Sequence, residues 1–260
     1  MENGPELWAN VLPRPDAASH KYDRGYCTIF GAPSLTGATR LAATAANRVG
    51  AGLVTVQCET RGDVYRAALP PEIMVQDAGE TIPEKTTALL GGPGGLSPSH
   101  LDALLSRTGL PRVIDSGGFP STPDRLNGNS ATILTPHEGE FSKLFGPTSG
   151  SFGAAKAEAT LKAAQASGAV VVLKGPLSVI AHPDGRIVLN DRPNPYLATA
   201  GTGDVLAGLM AGLLAQHMDA FWAASAAVWI HSEAAERIGP GLIASDITSI
   251  VPNILAELLA

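Results

Sequence analysis

The sequence predicts an α/β fold, a mostly parallel sheet with helices on both faces. Three observations predict it. Short runs of continuously apolar, often β-branched residues recur along the chain. Helical stretches rich in Ala and Leu separate them, and 260 residues are enough for one domain to bury a core without staples. A strand that is apolar at every position, rather than at every second one, is covered on both sides.

Residues 27–30 end at Gly31 and read as the first buried strand. Residues 38–49 have helical character, and Gly50-Ala51-Gly52 separates them from a second strand at 53–56. Further strands are expected at 88–90, 113–115, 132–134 and 170–173, with helices at 99–107, 139–145 and 154–167 between them. The alternation then changes. Segments 178–181 and 186–189 flank His182-Pro183-Asp184-Gly185, whose Asp-Gly favours a hairpin, so an antiparallel ribbon is expected. The last third reads as helices at 203–216, 219–238 and 245–259, and Pro252 predicts a kink or a break in the last. Stretches 119–130 and 146–153, rich in Pro, Ser and Gly, read as long loops. No repeat or low-complexity linker divides the chain, so a single domain is expected over residues 1–260.

Composition excludes several classes. Hydrophobic residues make up 45% and charged residues only 16%, too apolar for a disordered chain. The net charge of −6 argues against a nucleic-acid binder, which needs a basic face, but leaves room for a local anion pocket built from backbone N–H groups. Cys27 and Cys58 are too few for a disulfide framework and read as reduced, buried thiols. The first residues show no secretory pattern, and the longest uncharged apolar runs, 205–215 and 220–230, are shorter than the roughly 20 residues a bilayer span needs. A soluble, cytoplasmic protein is expected, with no membrane partner.

The sharpest chemical signal is Leu197 to Gly208, LATAGTGDVLAG. Gly201, Thr202 and Gly203 lead directly into a helix, where small residues let a ligand approach the backbone. The first helical N–H groups lack internal partners and, with the helix dipole, suit a phosphate. Asp204 stands in the first turn, available as a proton acceptor. A tight turn with Asp204 as a cap is the structural alternative.

A second signal is Leu134 to Phe141, LTPHEGEF, which places His137 and Glu140 after a buried strand, at the ligand-binding end of a parallel sheet. A capping-box acid and an exposed loop histidine are the alternative there. In VVVLKGPLS, Lys174 ends a strand and offers an ammonium to phosphates, or is a solvated lysine before a hairpin. Gly91-Gly92-Pro93-Gly94-Gly95 follows another strand and either admits a ligand or turns the chain. Lys21, Asp23 and Gly25 precede the first strand, and Gly37-Ala38 opens the first helix with a further backbone surface. His20, His100, His182, His217 and His231 fall at no metal-ligand spacing. There is no GxSxG elbow and no strand-GxGxxG fingerprint.

From about Pro13 onward, the chain resembles the ADP- or ATP-dependent NAD(P)H-hydrate dehydratases of the ribokinase-like superfamily. SHKYDRG, LTGATRLAATAANRVGAGLVTV, GGPGG, LTPHEGEF, VVLKG, LATAGTGDVLAG and GLIASDITSIVP carry the resemblance, and TPHEGE with LATAGTGD is its most specific pair. It implies a three-layer α/β/α sandwich and a repair reaction. The hydrated cofactors NADHX and NADPHX would be returned to NADH and NADPH by phosphorylation of the C6 hydroxyl and loss of phosphate. Position by position, it implies that Ala38, Gly94, His137 and Asp204 contact the hydrated cofactor. Lys174, Gly175, Pro176, Leu177, Ser178 and Gly203 would hold ADP or ATP, with Mg²⁺ on the phosphates. It also implies a homotetramer and, because these residues include no epimerase domain of the kind some members carry, a separate epimerase.

Three departures from the family pattern stand out. Gly92-Pro93-Gly94-Gly95-Leu96 replaces a Gly-Pro-Gly-Leu-Gly run. Asp115-Ser116-Gly117 replaces an Asp-Ala-Asp run and loses its second acid, and Ser178 replaces Thr. Two rivals share the anion site: a vitamin-precursor kinase of the same superfamily, whose product stays phosphorylated, and a non-catalytic nucleotide-binding protein. Release of inorganic phosphate separates the first, and turnover the second.

Overall fold

The computed structural model describes residues 1–126, 130–147 and 153–260. Among these, nine strands form one sheet. In chain order they are β1 (Tyr26–Phe30), β2 (Leu53–Gln57), β3 (Ile73–Gln76), β4 (Ala88–Gly91), β5 (Arg112–Ile114), β6 (Thr132–Leu134), β7 (Val170–Leu173), β8 (Leu177–Ala181) and β9 (Ile187–Asp191). Their spatial order is β3-β2-β1-β4-β5-β6-β7-β8-β9. The strands from β3 to β7 pair in parallel, and β8 and β9 add an antiparallel ribbon, as expected.

The helices are α1 (Thr36–Arg48), α2 (Gly62–Ala68), α3 (Pro98–Ser106), α4 (Glu138–Phe145), α5 (Gly153–Ser167), α6 (Thr202–Ala215), α7 (Ala220–Ile238) and α8 (Ala244–Leu259). Two apolar clusters show the layers. Cys27, Ile29, Val54, Val56, Leu90, Val113, Ile133 and Val172 pack with α1, α6, α7 and α8 on one face. Leu89, Ile114, Leu134, Val171 and Leu173 pack with α3, α4 and α5 on the other. The sheet is covered on both sides, hence the unbroken apolar runs.

Two elements escaped the sequence reading. Helix α2 buries little beyond Tyr65, and β3 is an edge strand buried at Ile73 alone, so neither shows a strong period. A second difference concerns Pro252, which does not break α8. Proline removes the N–H that would bond the carbonyl four residues back. That carbonyl, of Thr248, instead accepts from Arg48 Nε of α1 at 3.3 Å. The loops expected at 119–130 and 146–153 fall partly outside the described residues; a short 3₁₀ turn at Pro123–Leu126 is present in the first.

The apolar run 205–215 makes up α6 from its fourth residue to its end and is buried at every position, which makes it a core helix. No helix among the described residues is long and apolar enough to cross a membrane. Helix α6 lies so close to α1 that a methyl on Gly208 would stand 2.2 Å from the Ala42 carbonyl oxygen. Gly208→Ala is therefore expected to cost about 1–3 kcal/mol through overpacking. The same change at an open helix position gains about 0.5–1 kcal/mol. A thermal melt unchanged or raised relative to wild type would show that the two helices separate easily.

Candidate active site

Because β4, β5, β6 and β7 are parallel neighbours, the residues that follow them emerge together at the carboxyl edge of the sheet. Open α/β sheets bind ligands at this edge. Asp115 follows β5 and is 2% exposed. Its Oδ1 accepts from Thr135 Oγ1, one residue beyond β6, at 2.6 Å, and from Lys174 Nζ, one residue beyond β7, at 3.0 Å. The Lys174 N–H donates to the Pro136 carbonyl at 2.9 Å, and a single parallel bridge joins His137 to Lys174.

The start of α6 completes the cluster. A methyl on Gly203 would lie 3.5 Å from Lys174 Nζ, so the ammonium stands between Asp115 and the helix's first turn. The first intrahelical bond runs from the Val205 N–H to the Gly201 carbonyl at 3.0 Å, and the N–H groups before it belong to Thr202, Gly203 and Asp204. Burial pushes the Asp204 carboxyl up to about 6, the Asp115 charge pushes the same way, and Lys174 opposes both. At neutral pH Asp204 is mostly ionised yet more basic than an ordinary carboxylate, which suits a proton acceptor. The capping alternative fails for this residue, since Asp204 follows the cap position, held by Gly201 with φ 93°.

A second group gathers at the start of α1. Thr39 Oγ1 accepts from the Ala32 N–H at 3.0 Å and donates to the Pro93 carbonyl at 3.1 Å, tying the glycine loop to the helix. Gly94 has φ +81°, and a methyl there would lie 2.4 Å from the Leu35 carbonyl oxygen and 2.9 Å from Ala38 Cβ, so only glycine fits. Helices α1 and α6 meet here as well, Leu41 Cδ1 lying 2.6 Å from where a Gly201 methyl would be. Lys21, Asp23 and Gly25 are not part of this edge; Gly25 packs on the Ala215 carbonyl, at the far end of α6.

For His137 and Glu140 the capping alternative is realised. The His137 ring Nδ1 accepts from the Gly139 and Glu140 N–H groups at 3.0 and 3.3 Å, while Glu140 Oε2 accepts from the His137 N–H at 3.0 Å. The ring stays exposed, so it still presents a face at the same edge as Lys174. Ser178 is near the surface, its hydroxyl donating to the Gly175 carbonyl at 3.1 Å.

Two departures from the family pattern touch each other. Gly117 stands where the second acid is expected, and a methyl there would lie 2.8 Å from Gly95 Cα. Gly117 and Gly95 thus pack backbone against backbone.

Two residues beside the site carried no functional expectation. His231 of α7 is buried beneath the start of α6, and its Nε2 donates to the Thr202 carbonyl at 2.9 Å. Burial pushes it down to about 4, so it is neutral and its role is positional. Lys156 of α5 is the other. Its signal was present, since Lys156 shares a spacing with Thr160, Ala163 and Ser167, a small-residue face that is buried.

No three His, Cys, Asp or Glu side chains gather as metal ligands among the described residues. The Asp115 and Asp204 carboxylates at this edge are hard oxygen donors, of the kind a magnesium ion takes directly or through its waters.

The parallel sheet with an acid at a glycine-led helix start defines a ribokinase-like α/β/α protein, and solved structures of that class superpose on it. The family model described as NAD(P)H-hydrate dehydratase matches residues 26–252, and the chain belongs to that family. The bifunctional NAD(P)H-hydrate repair enzyme of Moorella thermoacetica is 35% identical over 95% of this chain, but the match spans only 52% of that protein. The chain thus spans about half the length of its bifunctional relatives. The ADP-dependent (S)-NAD(P)H-hydrate dehydratase of Xanthomonas campestris is 34% identical, with 97% of this chain and 94% of the relative covered. The Bacillus subtilis ADP/ATP-dependent NAD(P)H-hydrate dehydratase, co-crystallised with ATP and Mg²⁺, superposes with a TM-score of 0.84 at 29% identity, covering 98% of this chain and 97% of that one.

Proposed function

We propose that the protein is an ADP- or ATP-dependent NAD(P)H-hydrate dehydratase, a hydro-lyase that returns (6S)-NADHX and NADPHX to NADH and NADPH. The observation that carries it is the Asp115, Lys174 and Asp204 cluster at the start of α6, in a chain of this family. The adenine nucleotide, with its Mg²⁺, would supply its terminal phosphoryl group and leave as AMP from ADP, or as ADP from ATP. Asp204 accepts the proton of the C6 hydroxyl as that oxygen attacks phosphorus. The N–H groups of Thr202 and Gly203 and the Lys174 ammonium stabilise charge on the transferring oxygens. Breaking the C6–O bond then releases phosphate, and loss of a C5 proton restores the ring double bond.

Ala38, Gly94 and the exposed His137 ring form the substrate side of the edge. The Lys174–Ser178 turn and Gly201 to Gly203 form the nucleotide side. A cytoplasmic homotetramer, supplied with the (6S) epimer by an epimerase activity, completes the reading.

Purified protein mixed with NADHX, Mg²⁺ and ADP or ATP is expected to regain NADH absorbance, with one phosphate released per NADH. Accumulation of a phosphorylated alcohol without that absorbance would favour a kinase. Nucleotide-dependent thermal stabilisation without turnover would favour a binding protein.

A further inference from the structure

Lys156 is fully buried near the start of α5. A buried ammonium is costly unless its hydrogens are taken up and its charge is balanced. Lys156 has one partner of each kind. Nζ donates to the Leu177 carbonyl at 2.7 Å and lies 3.5 Å from Glu138 Oε1. Leu177 opens β8 and belongs to the turn that begins at Lys174, while Glu138 opens α4 directly after His137. Gly175 shows how closely the ammonium underlies that turn, since a methyl there would stand 2.6 Å from Nζ. Burial pushes the Lys156 ammonium below the ordinary lysine value, and Glu138 opposes that shift in part. With its oxygen committed to Nζ, the Leu177 carbonyl is engaged by the protein.

We infer that Lys156 is a positioning residue for the adenine nucleotide: its ammonium, balanced by Glu138, holds the Lys174–Ser178 turn in its receiving shape and ties it to the His137 loop. The inference rests on the nucleotide role proposed above for that turn. A residue needed only for packing would be apolar, and a lysine placed for solvation would not be fully buried.

The test compares Lys156→Met, which removes the charge and donors, with Lys156→Arg, which keeps them. ADP affinity is read by titration calorimetry alongside steady-state kinetics on NADHX. Lys156→Met is expected to weaken ADP binding and raise its KM about tenfold or more, the scale of one lost charged hydrogen bond. The KM for NADHX is expected to stay within about twofold and kcat at saturating ADP within about threefold, as for lost uniform binding. Lys156→Arg is expected to restore ADP binding to within about threefold.

Unchanged ADP affinity, or equal losses in both affinities and kcat, would overturn the inference. Absence of turnover by the wild type overturns the functional reading instead, and the calorimetric comparison still decides the role of Lys156. If Lys156→Met does not fold, Glu138→Gln carries the test: a loss confined to ADP supports the inference, and unchanged ADP affinity overturns it.

Discussion

Asp204→Asn is expected to lower turnover by about 10²–10⁴-fold, the range for loss of a general base, while ADP affinity changes little. The amide has the shape of the carboxylate, so the start of α6 and its N–H groups stay in place, but it accepts no proton at neutral pH. In the wild type, kcat/KM is expected to rise with pH through about 6, because Asp204 must be ionised to act and its neighbourhood holds it there. A variant that keeps most of its activity would remove the proton-acceptor role.

The same shift bears on stability with a definite sign. The folded state holds Asp204 above its ordinary value of 3.8, so its protonated form favours folding. That contribution is fully present below about pH 4 and is lost as pH rises through about 6. Asn mimics the neutral acid, so the inactive variant is expected to be more stable than wild type at pH 7. The gain is on the order of 1 kcal/mol after discounting for the solvent that reaches this half-buried side chain. Melting temperatures measured at pH 4 and pH 7 check this, and a gain of equal size at both would contradict it.

Lys174→Met is the second large effect. Its ammonium is bonded to a buried carboxylate and stands beside the turn in which phosphates are proposed to sit. Removing it is expected to weaken ADP affinity about 10- to 100-fold, the equivalent of one charged hydrogen bond, and more than it weakens NADHX. Equal losses would remove the nucleotide assignment.

A pH profile adds a reading that packing damage cannot imitate. Lys174 opposes the rise of Asp204, so without it the acid limb is expected to move above 6. Asp115→Asn removes a charge that pushes Asp204 up, and is expected to move the limb the other way. Leaving the buried Asp115 without its counter-charge, with the Thr135 hydroxyl still bonded to it, also costs stability, up to about 3–5 kcal/mol, so Lys174→Met alone is expected to melt earlier than the Asp115→Asn, Lys174→Met pair.

Much of the fold was legible because its signals are local. The buried strands β1, β2 and β4 to β7 announce themselves as apolar runs, and Asp184-Gly185 announces the ribbon. Helix α2 and strand β3 did not, since each buries a single residue. Glu140 was legible as a capping acid from its spacing to His137, and Asp204 from two glycines before a helix. His231 was passed over because a lone histidine on a helix carries no signal of what it bonds; its partner, Thr202, lies on another helix.

By itself, the sequence determined the α/β class, the order of the buried strands and of the longer helices, and the segments that carry the chemistry, because each depends on residues adjacent along the chain. Only the tertiary structure decided that Asp115, Lys174 and Asp204 form one charged cluster, that Gly117 and Gly95 touch, and that Lys156 lies beneath the glycine of the β7–β8 turn. Those contacts depend on parallel register between strands joined by long crossovers. The basicity of Asp204 depends on them in turn, because charge and burial act through space and not along the backbone.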